Sequence, residues 1–236
     1  MNRIVIVKTG STLPDLASRR GDFEDWILSG MGQWPDQVVI LDAQNGSRLP
    51  EPDRFSGVIV TGSHALVSDH HPWSERTADW LVRVVESEIP TLGICYGHQL
   101  LAYAMGGEVG DNPNGLEFGT VELDLAQEAR DDALLHELQP GSVVHVSHLQ
   151  SVLRLPPGAR RLASSAMEAN QAFVVGPRAW GVQFHPEFDA EVVTTYIDHF
   201  RETLQRQGQD PDQLIAACRE TPQSHSLLRR FAAIAS

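Results

Sequence analysis

The segment Thr91-Leu92-Gly93-Ile94-Cys95-Tyr96-Gly97-His98-Gln99-Leu100 constrains the fold more than any other stretch of the chain. A short apolar run reaches a cysteine held between two glycines, and a helix-forming stretch follows. That order describes a strand, a sharp corner and a helix. Glycine on either side lets neighbouring backbone approach a strained turn. The corner residue stands at a helix N-terminus, where unpaired N–H groups and the helix dipole favour negative charge. With serine at the corner this is the G-x-S-x-G nucleophile elbow known on other folds. Cys95 instead presents a thiol, whose reactive form is the thiolate.

The chain on either side supports such a corner. Arg3 to Lys8 is a continuous apolar run suited to a strand buried on both faces, and Val38 to Leu41 and Gly57 to Val60 read the same way. Gly21 to Gly32, with Phe23, Trp26, Ile27 and Met31, has helical spacing. Trp73 to Ser87 places Ala78, Leu81, Val82 and Val85 on one helical stripe, Gln99 to Met105 belongs to the helix after the elbow, and Gly106-Gly107 ends it. The alternation predicts an α/β fold: a doubly wound, mostly parallel, flavodoxin-like sheet with helices on both faces. In such sheets functional groups collect at the carboxyl ends of the strands, where Cys95 and the Thr61-Gly62-Ser63 turn both fall.

Beyond Gly107 the pattern becomes antiparallel. Gly119 to Leu125 and Ser142 to His148 alternate apolar and polar residues, Arg161 to Ala166 and Ala172 to Val175 are further short strands, and Trp180 to Phe184 runs into His185-Pro186-Glu187. From Glu191 the pattern is helical, with Val192, Val193, Tyr196, Ile197 and Phe200 on one stripe. A break at Gln207–Pro211 precedes a helix with Leu214, Ile215 and Cys218 and a last one with Leu227, Leu228, Phe231 and Ile234. With no repeat and no linker, residues 1–236 are expected to form one domain, its core at about 4–200 and a helical tail at about 209–236, the tail stripe packing on the sheet.

Composition narrows the function. Among 236 residues, Lys plus Arg is 18 and Asp plus Glu is 31, so the formal net charge is 18 − 31 = −13. An acidic chain lacks the basic stripe of a nucleic-acid binder and the charge of an electrostatic membrane anchor. Cys95 and Cys218, the two cysteines, form no C-x-x-C pair and no disulfide framework. The apolar part of Met1 to Lys8 is too short for a secretory leader, and no run approaches the roughly 18 apolar residues of a membrane span. A soluble, cytoplasmic protein is the expectation.

A thiol needs a base, and the base needs an orienting partner. His185-Pro186-Glu187 supplies both. Pro186 disfavours α-conformation at His185, and residues two apart in an extended segment project to the same side. Glu187 can therefore hold one ring nitrogen of His185 while the other faces the thiol, as in a nucleophile–base–orienter triad.

Gly93-Ile94-Cys95-Tyr96-Gly97-His98-Gln99 together with Gly181-Val182-Gln183-Phe184-His185-Pro186-Glu187 resembles the class I, triad-type glutamine amidotransferases, in particular stand-alone members similar to the amidotransferase domain of GMP synthase. The resemblance runs from about Ile4 to about Phe200, and Gly115-Leu116-Glu117-Phe118-Gly119-Thr120 also resembles a segment of that group. It implies that Cys95 attacks the glutamine carboxamide, releases ammonia and leaves a γ-glutamyl thioester that water cleaves, with His185 and Glu187 completing the triad. It also implies an oxyanion hole from Tyr96 and the Gly62-Ser63 turn, and substrate contacts from Gln99, Ser147 and His148. No cofactor or metal is required. The partners implied are a small-molecule substrate and a synthetase or acceptor protein to take the ammonia. Two positions depart from the family: Thr61-Gly62-Ser63 replaces a common Gly-Gly-Pro turn, and Leu149 follows Ser147-His148 where a small residue is common. These favour a second reading, a γ-glutamyl hydrolase or peptidase acting on another γ-glutamyl amide. A non-catalytic regulatory subunit is opposed by the filled triad.

Other residues have plainer readings. Trp26, Trp80 and Tyr103 read as core or half-buried aromatics. His70-His71 lacks a third ligand in local spacing. His98 belongs to the start of the elbow helix, His145 is structural, Cys218 is an inert apolar thiol, and the acidic run Glu128 to Asp132 is a solvated turn.

Overall fold

The computed structural model describes residues 3–33 and 38–236; Met1 and Asn2, the first residues of the segment weighed above as a leader, lie outside them. In chain order the elements are β1 (Arg3–Lys8), α1 (Pro14–Arg20), α2 (Phe23–Met31), β2 (Val38–Asp42), β3 (Phe55–Val60), α3 (Pro72–Glu86), β4 (Thr91–Ile94), α4 (Tyr96–Ala104), β5 (Glu108–Asp111), β6 (Glu117–Glu122), β7 (Asp124–Leu125), β8 (Val143–His148), β9 (Gln150–Arg154), β10 (Arg160–Ser164), β11 (Ala172–Val175), β12 (Ala179–Val182), α5 (Ala190–His199), α6 (Arg201–Arg206), α7 (Pro211–Ala217) and α8 (Pro222–Ile234). Among the described residues no helix is long and apolar enough to cross a membrane.

An eight-stranded sheet runs in the order β2-β1-β3-β4-β12-β11-β10-β7. The neighbours from β2 through β12 are parallel. Beyond β12 the sheet continues antiparallel through β11, β10 and β7. Successive residues of the buried strands face opposite layers, as a period of two requires. Ile4 and Ile6 of β1 join Ile59, Leu92 and Ile94 under Ile27, Leu28 and Met31 of α2 and Leu227, Leu228 and Phe231 of α8. Val5 and Val7 join Val58 and Val60 under Ala78, Trp80, Leu81 and Val84 of α3 and Leu100 of α4. The helices thus cover both faces, as expected for a doubly wound sheet.

The C-terminal stripe packs on the sheet. Leu227, Leu228 and Phe231 are fully buried, and each such side chain contributes up to about 1.5–3 kcal/mol. Two antiparallel pairs, β5 with β9 and β6 with β8, form separate two-stranded sheets.

The structure corrects several local readings. The buried stripe of α3 includes Val84, while Val82 is only half-buried. Trp80, bonded through its indole N–H to Pro50 O, is buried one turn before Val84 on the same face. Gly119 to Leu125 is two strands: β6 starts at Glu117 and pairs with β8, whereas β7 joins the main sheet. Asp132 is buried instead of solvated, because it accepts the Trp180 indole N–H at 3.1 Å and the amides of Leu134 and Leu135 at 2.9 and 3.0 Å. Cys218 lies just past α7, half-buried, its thiol donating to Leu214 O at 3.3 Å. The short segments α1, β5 and β9 carry no periodic signal strong enough to announce them.

Candidate active site

Three adjacent parallel strands deliver the candidate residues to one edge. Thr61-Gly62-Ser63 follows β3, Cys95 follows β4, and His185 lies just past β12; β4 runs between the other two. The chain positions are far apart, and the sheet order makes them neighbours.

The elbow is strained as expected. Cys95 has φ +50° and ψ −99°, a conformation that costs a non-glycine residue about 1–3 kcal/mol. Its N–H donates to Val182 O at 2.9 Å, and the Gly97 N–H donates to Thr61 O at 3.2 Å, tying the corner to both flanking strands. The glycines are sterically required. A Cβ on Gly93 would sit 2.3 Å from Gly97 O, and one on Gly97 would sit 2.3 Å from Val60 O.

His185 Nδ1 lies 2.7 Å from Glu187 Oε1, with the two side chains 4% and 0% exposed. The carboxylate accepts, so Nδ1 donates and Nε2 is left for the thiol. His185 and Cys95 both lie under the Gly62 turn, within 3.1 and 3.9 Å of a Cβ built on that glycine. Burial opposes the charged imidazole, but the negative charges of Glu187 and then Cys95 outweigh it and push the His185 pKa up to about 10. The thiol also lies 3.8 Å from Ser147 O, at the limit for a sulfur hydrogen bond. The His185 N–H donates to His145 O at 2.8 Å, and the ring stacks on Phe188 at a centroid distance of 4.0 Å, with Phe23 in turn against Phe188 at 6.2 Å.

The turn after β3 is pinned from β1. Thr9 N–H donates to Thr61 Oγ1 at 3.0 Å, and the Thr9 hydroxyl sits 2.9 Å from Thr61 O and 3.1 Å from Gly62 O. A Cβ on Gly62 would lie 3.1 Å from His185 Cε1 and 3.9 Å from Cys95 Cβ, so the turn passes directly over the triad. Tyr96 is the first residue of α4, in the turn whose amides have no intrahelical acceptor.

A cavity of about 250 Å³ opens on Cys95. Its wall includes Ser63, Tyr96, Gln99, Ser147 and His148, together with an apolar side of Leu116, Phe118, Leu149 and Phe200. Gln99 Nε2 is already engaged by Gln150 O at 2.7 Å and Gln183 Oε1 at 2.9 Å, leaving its carbonyl oxygen. Both ring nitrogens of His148 are engaged as well, by Glu117 Oε2 at 2.8 Å and Gln150 O at 3.0 Å. His98 is fully buried under the elbow against Phe173, and burial pushes its pKa down to about 3, so it is neutral. His145 is neutral for the same reason, with a pKa near 4, and its Nδ1 lies 3.1 Å from Thr120 Oγ1.

Four residues around this site were given no role in it by the sequence: Thr9 and Phe188, Phe23, which read only as part of a helical stripe, and Glu117, which read only as part of the family-like Gly115–Thr120 segment. Thr9 and Phe188 did carry a positional signal. Thr9 directly follows a buried parallel strand, and Phe188 directly follows the His-Pro-Glu triplet. Phe23 and Glu117 reach the site through tertiary packing.

The chain is similar to known proteins over most of its length. A family model described as glutamine amidotransferase class-I matches residues 34–201. GMP synthase (glutamine-hydrolyzing) of Porphyromonas gingivalis is 36% identical over 157 residues, which are 65% of this chain and 29% of that protein. The chain thus corresponds to under a third of that relative's length. Gamma-glutamyl peptidase 3 of Arabidopsis thaliana is 27% identical over 191 residues, 74% of this chain and 68% of that one. A crystal structure of a glutamine amidotransferase from Thermotoga maritima superposes with a TM-score of 0.77 at 25% identity, covering 100% of this chain and 99% of the other. The family model spanning residues 34–201 places the chain in the class I glutamine amidotransferase family, whose fold it shares with the Thermotoga maritima protein.

Proposed function

We propose that this protein hydrolyses the side-chain amide of glutamine to glutamate and ammonia through a γ-glutamyl thioester on Cys95. The observation that carries this reading is the convergence of Cys95, His185 and Glu187 from β4 and β12, with His185 Nδ1 2.7 Å from Glu187. The Cys95 sulfur attacks the carboxamide carbon, and the carbonyl electron pair moves onto oxygen. That oxyanion is received by the N–H groups of Tyr96 and of the Gly62-Ser63 turn. The C–N bond breaks as His185 gives its proton to the leaving nitrogen, and ammonia departs. Water, deprotonated by His185, attacks the thioester; the C–S bond breaks and glutamate leaves. Gln99, Ser147 and His148 form the wall against which the glutamyl chain lies. The ammonia goes to a synthetase-type acceptor, a reading supported by the likeness to part of a glutamine-hydrolysing GMP synthase.

A second substrate is favoured by one feature. Leu149 joins Leu116, Phe118 and Phe200 in an apolar wall beside Cys95, and ammonia needs no such surface. The same triad would then cleave a γ-glutamyl amide with a larger amine, in keeping with the likeness to gamma-glutamyl peptidase 3.

A substrate profile tests both. Purified protein is offered glutamine and a set of γ-glutamyl peptides, with glutamate and amine release measured and the Cys95→Ser variant as control. Release that disappears in Cys95→Ser supports the reading, and the preferred substrate chooses between the two. Absence of release from every γ-glutamyl compound would overturn it.

A further inference from the structure

A second buried carboxylate–imidazole pair stands beside the triad. Glu117 on β6 and His148 on β8 are direct cross-strand partners. His148 Nε2 lies 2.8 Å from Glu117 Oε2, and the two side chains are 1% and 3% exposed. His148 Nδ1 faces Gln150 O at 3.0 Å. A peptide carbonyl only accepts, so Nδ1 carries a hydrogen. Glu117 also accepts from Ser165 Oγ at 2.6 Å and from Gln171 Nε2 at 2.8 Å. A carboxylate ringed by donors in this way binds the His148 ring as a charge-assisted hydrogen bond.

The pair is tied to the nucleophile on its other side. Gln150 O accepts from Gln99 Nε2 at 2.7 Å, and Gln99 belongs to the elbow helix. The Gln150 side chain donates to Ser68 Oγ at 2.7 Å and to Asp111 Oδ1 at 3.1 Å. Ser147, one residue before His148, turns its carbonyl to within 3.8 Å of the Cys95 sulfur. The crossing from β8 to β9 is therefore clamped at Ser147–Gln150, and it is the wall of the cavity facing the thiol. A buried carboxylate–imidazole pair adds little stability over apolar packing of the same volume, so stability alone is a poor account of it.

We infer that Glu117 is a positioning residue: through the His148 ring it sets the Ser147–Gln150 wall at the distance from Cys95 that a γ-glutamyl chain requires, and so governs substrate recognition and not the reactivity of the thiol. This rests on the reading that Cys95 attacks a γ-glutamyl amide.

The test compares two labelling rates at Cys95, with the adduct located by mass spectrometry. One reagent is iodoacetamide, which has no glutamyl part. The other is a chloroketone in which a chloromethyl ketone replaces the glutamine carboxamide. In Glu117→Gln, the iodoacetamide rate stays within about twofold of the parent, while half-saturation by the chloroketone rises about tenfold or more and its limiting rate holds, the loss expected for one charge-assisted hydrogen bond. Ser165→Ala, which removes one donor from Glu117, gives a smaller change in the same sense and serves if Glu117→Gln does not fold. Equal loss of both rates, or an unchanged chloroketone half-saturation, overturns the positioning role. A parent protein that does not favour the chloroketone over iodoacetamide overturns the γ-glutamyl reading itself, and the inference with it.

Discussion

Replacing Glu187 by Gln keeps the shape of the side chain and removes its charge. The acceptor facing His185 Nδ1, 2.7 Å away and fully shielded from water, changes from a carboxylate to a neutral amide oxygen. A hydrogen bond to a charged group is worth about 1.5–3 kcal/mol, which corresponds to about a 10- to 150-fold loss of kcat/KM if the bond supports the transition state. The charge of Glu187 is also the main influence raising the His185 pKa against burial. Without it burial gains the upper hand, the imidazolium is lost at a lower pH, and the alkaline limb of the rate profile shifts down. Ammonia or amine release across pH measures both effects, and a parallel iodoacetamide rate reports the thiolate. A Glu187→Gln variant with kcat/KM within about twofold of the parent, and an unmoved alkaline limb, would refute the role given to the pair.

Further outcomes follow from the same geometry. His185 holds its proton more tightly in the folded state, so its stabilising contribution is complete below pH 6.5 and is lost as pH climbs toward about 10; the melting temperature should fall through that window, and less steeply in Glu187→Gln. Gly97→Ala would place a methyl group 2.3 Å from Val60 O, so overpacking should cost about 1–3 kcal/mol, read as a lower denaturation midpoint with loss of activity. Thr9→Val removes the hydroxyl that holds the Thr61 and Gly62 carbonyls, which should destabilise by about 1–3 kcal/mol and lower kcat more than it raises KM. Leu149→Ala should weaken turnover of γ-glutamyl amides with apolar amines more than turnover of glutamine, a ratio obtained by direct competition.

The parts of this structure legible in the sequence were those with local causes. The elbow announced itself because only glycine fits at positions 93 and 97, where added Cβ atoms would meet backbone at 2.3 Å. The buried parallel strands showed as unbroken Ile and Val runs, and the His-Pro-Glu triplet carried its own geometry. What stayed hidden depends on packing between distant segments. The placement of β3, β4 and β12 side by side is a property of the sheet and of no single motif. Thr9 acts through a turn 52 residues away. Asp132 looks like any surface acid until Trp180 is packed over it. The β6–β7 break at Leu123 divides a run that alternates smoothly in sequence, because its two halves join different sheets. Gln99 and His148, expected to touch substrate, turned out to have their nitrogens committed to a buried polar network, and only three-dimensional neighbours reveal that.

The most direct test of the account is to catch the acyl group on Cys95. The protein is mixed with glutamine or its preferred γ-glutamyl amide, quenched in acid during turnover, and digested for mass spectrometry. The account predicts one γ-glutamyl group on the peptide carrying Cys95, none on that carrying Cys218, and none in Cys95→Ser. Turnover that continues in Cys95→Ser would contradict it.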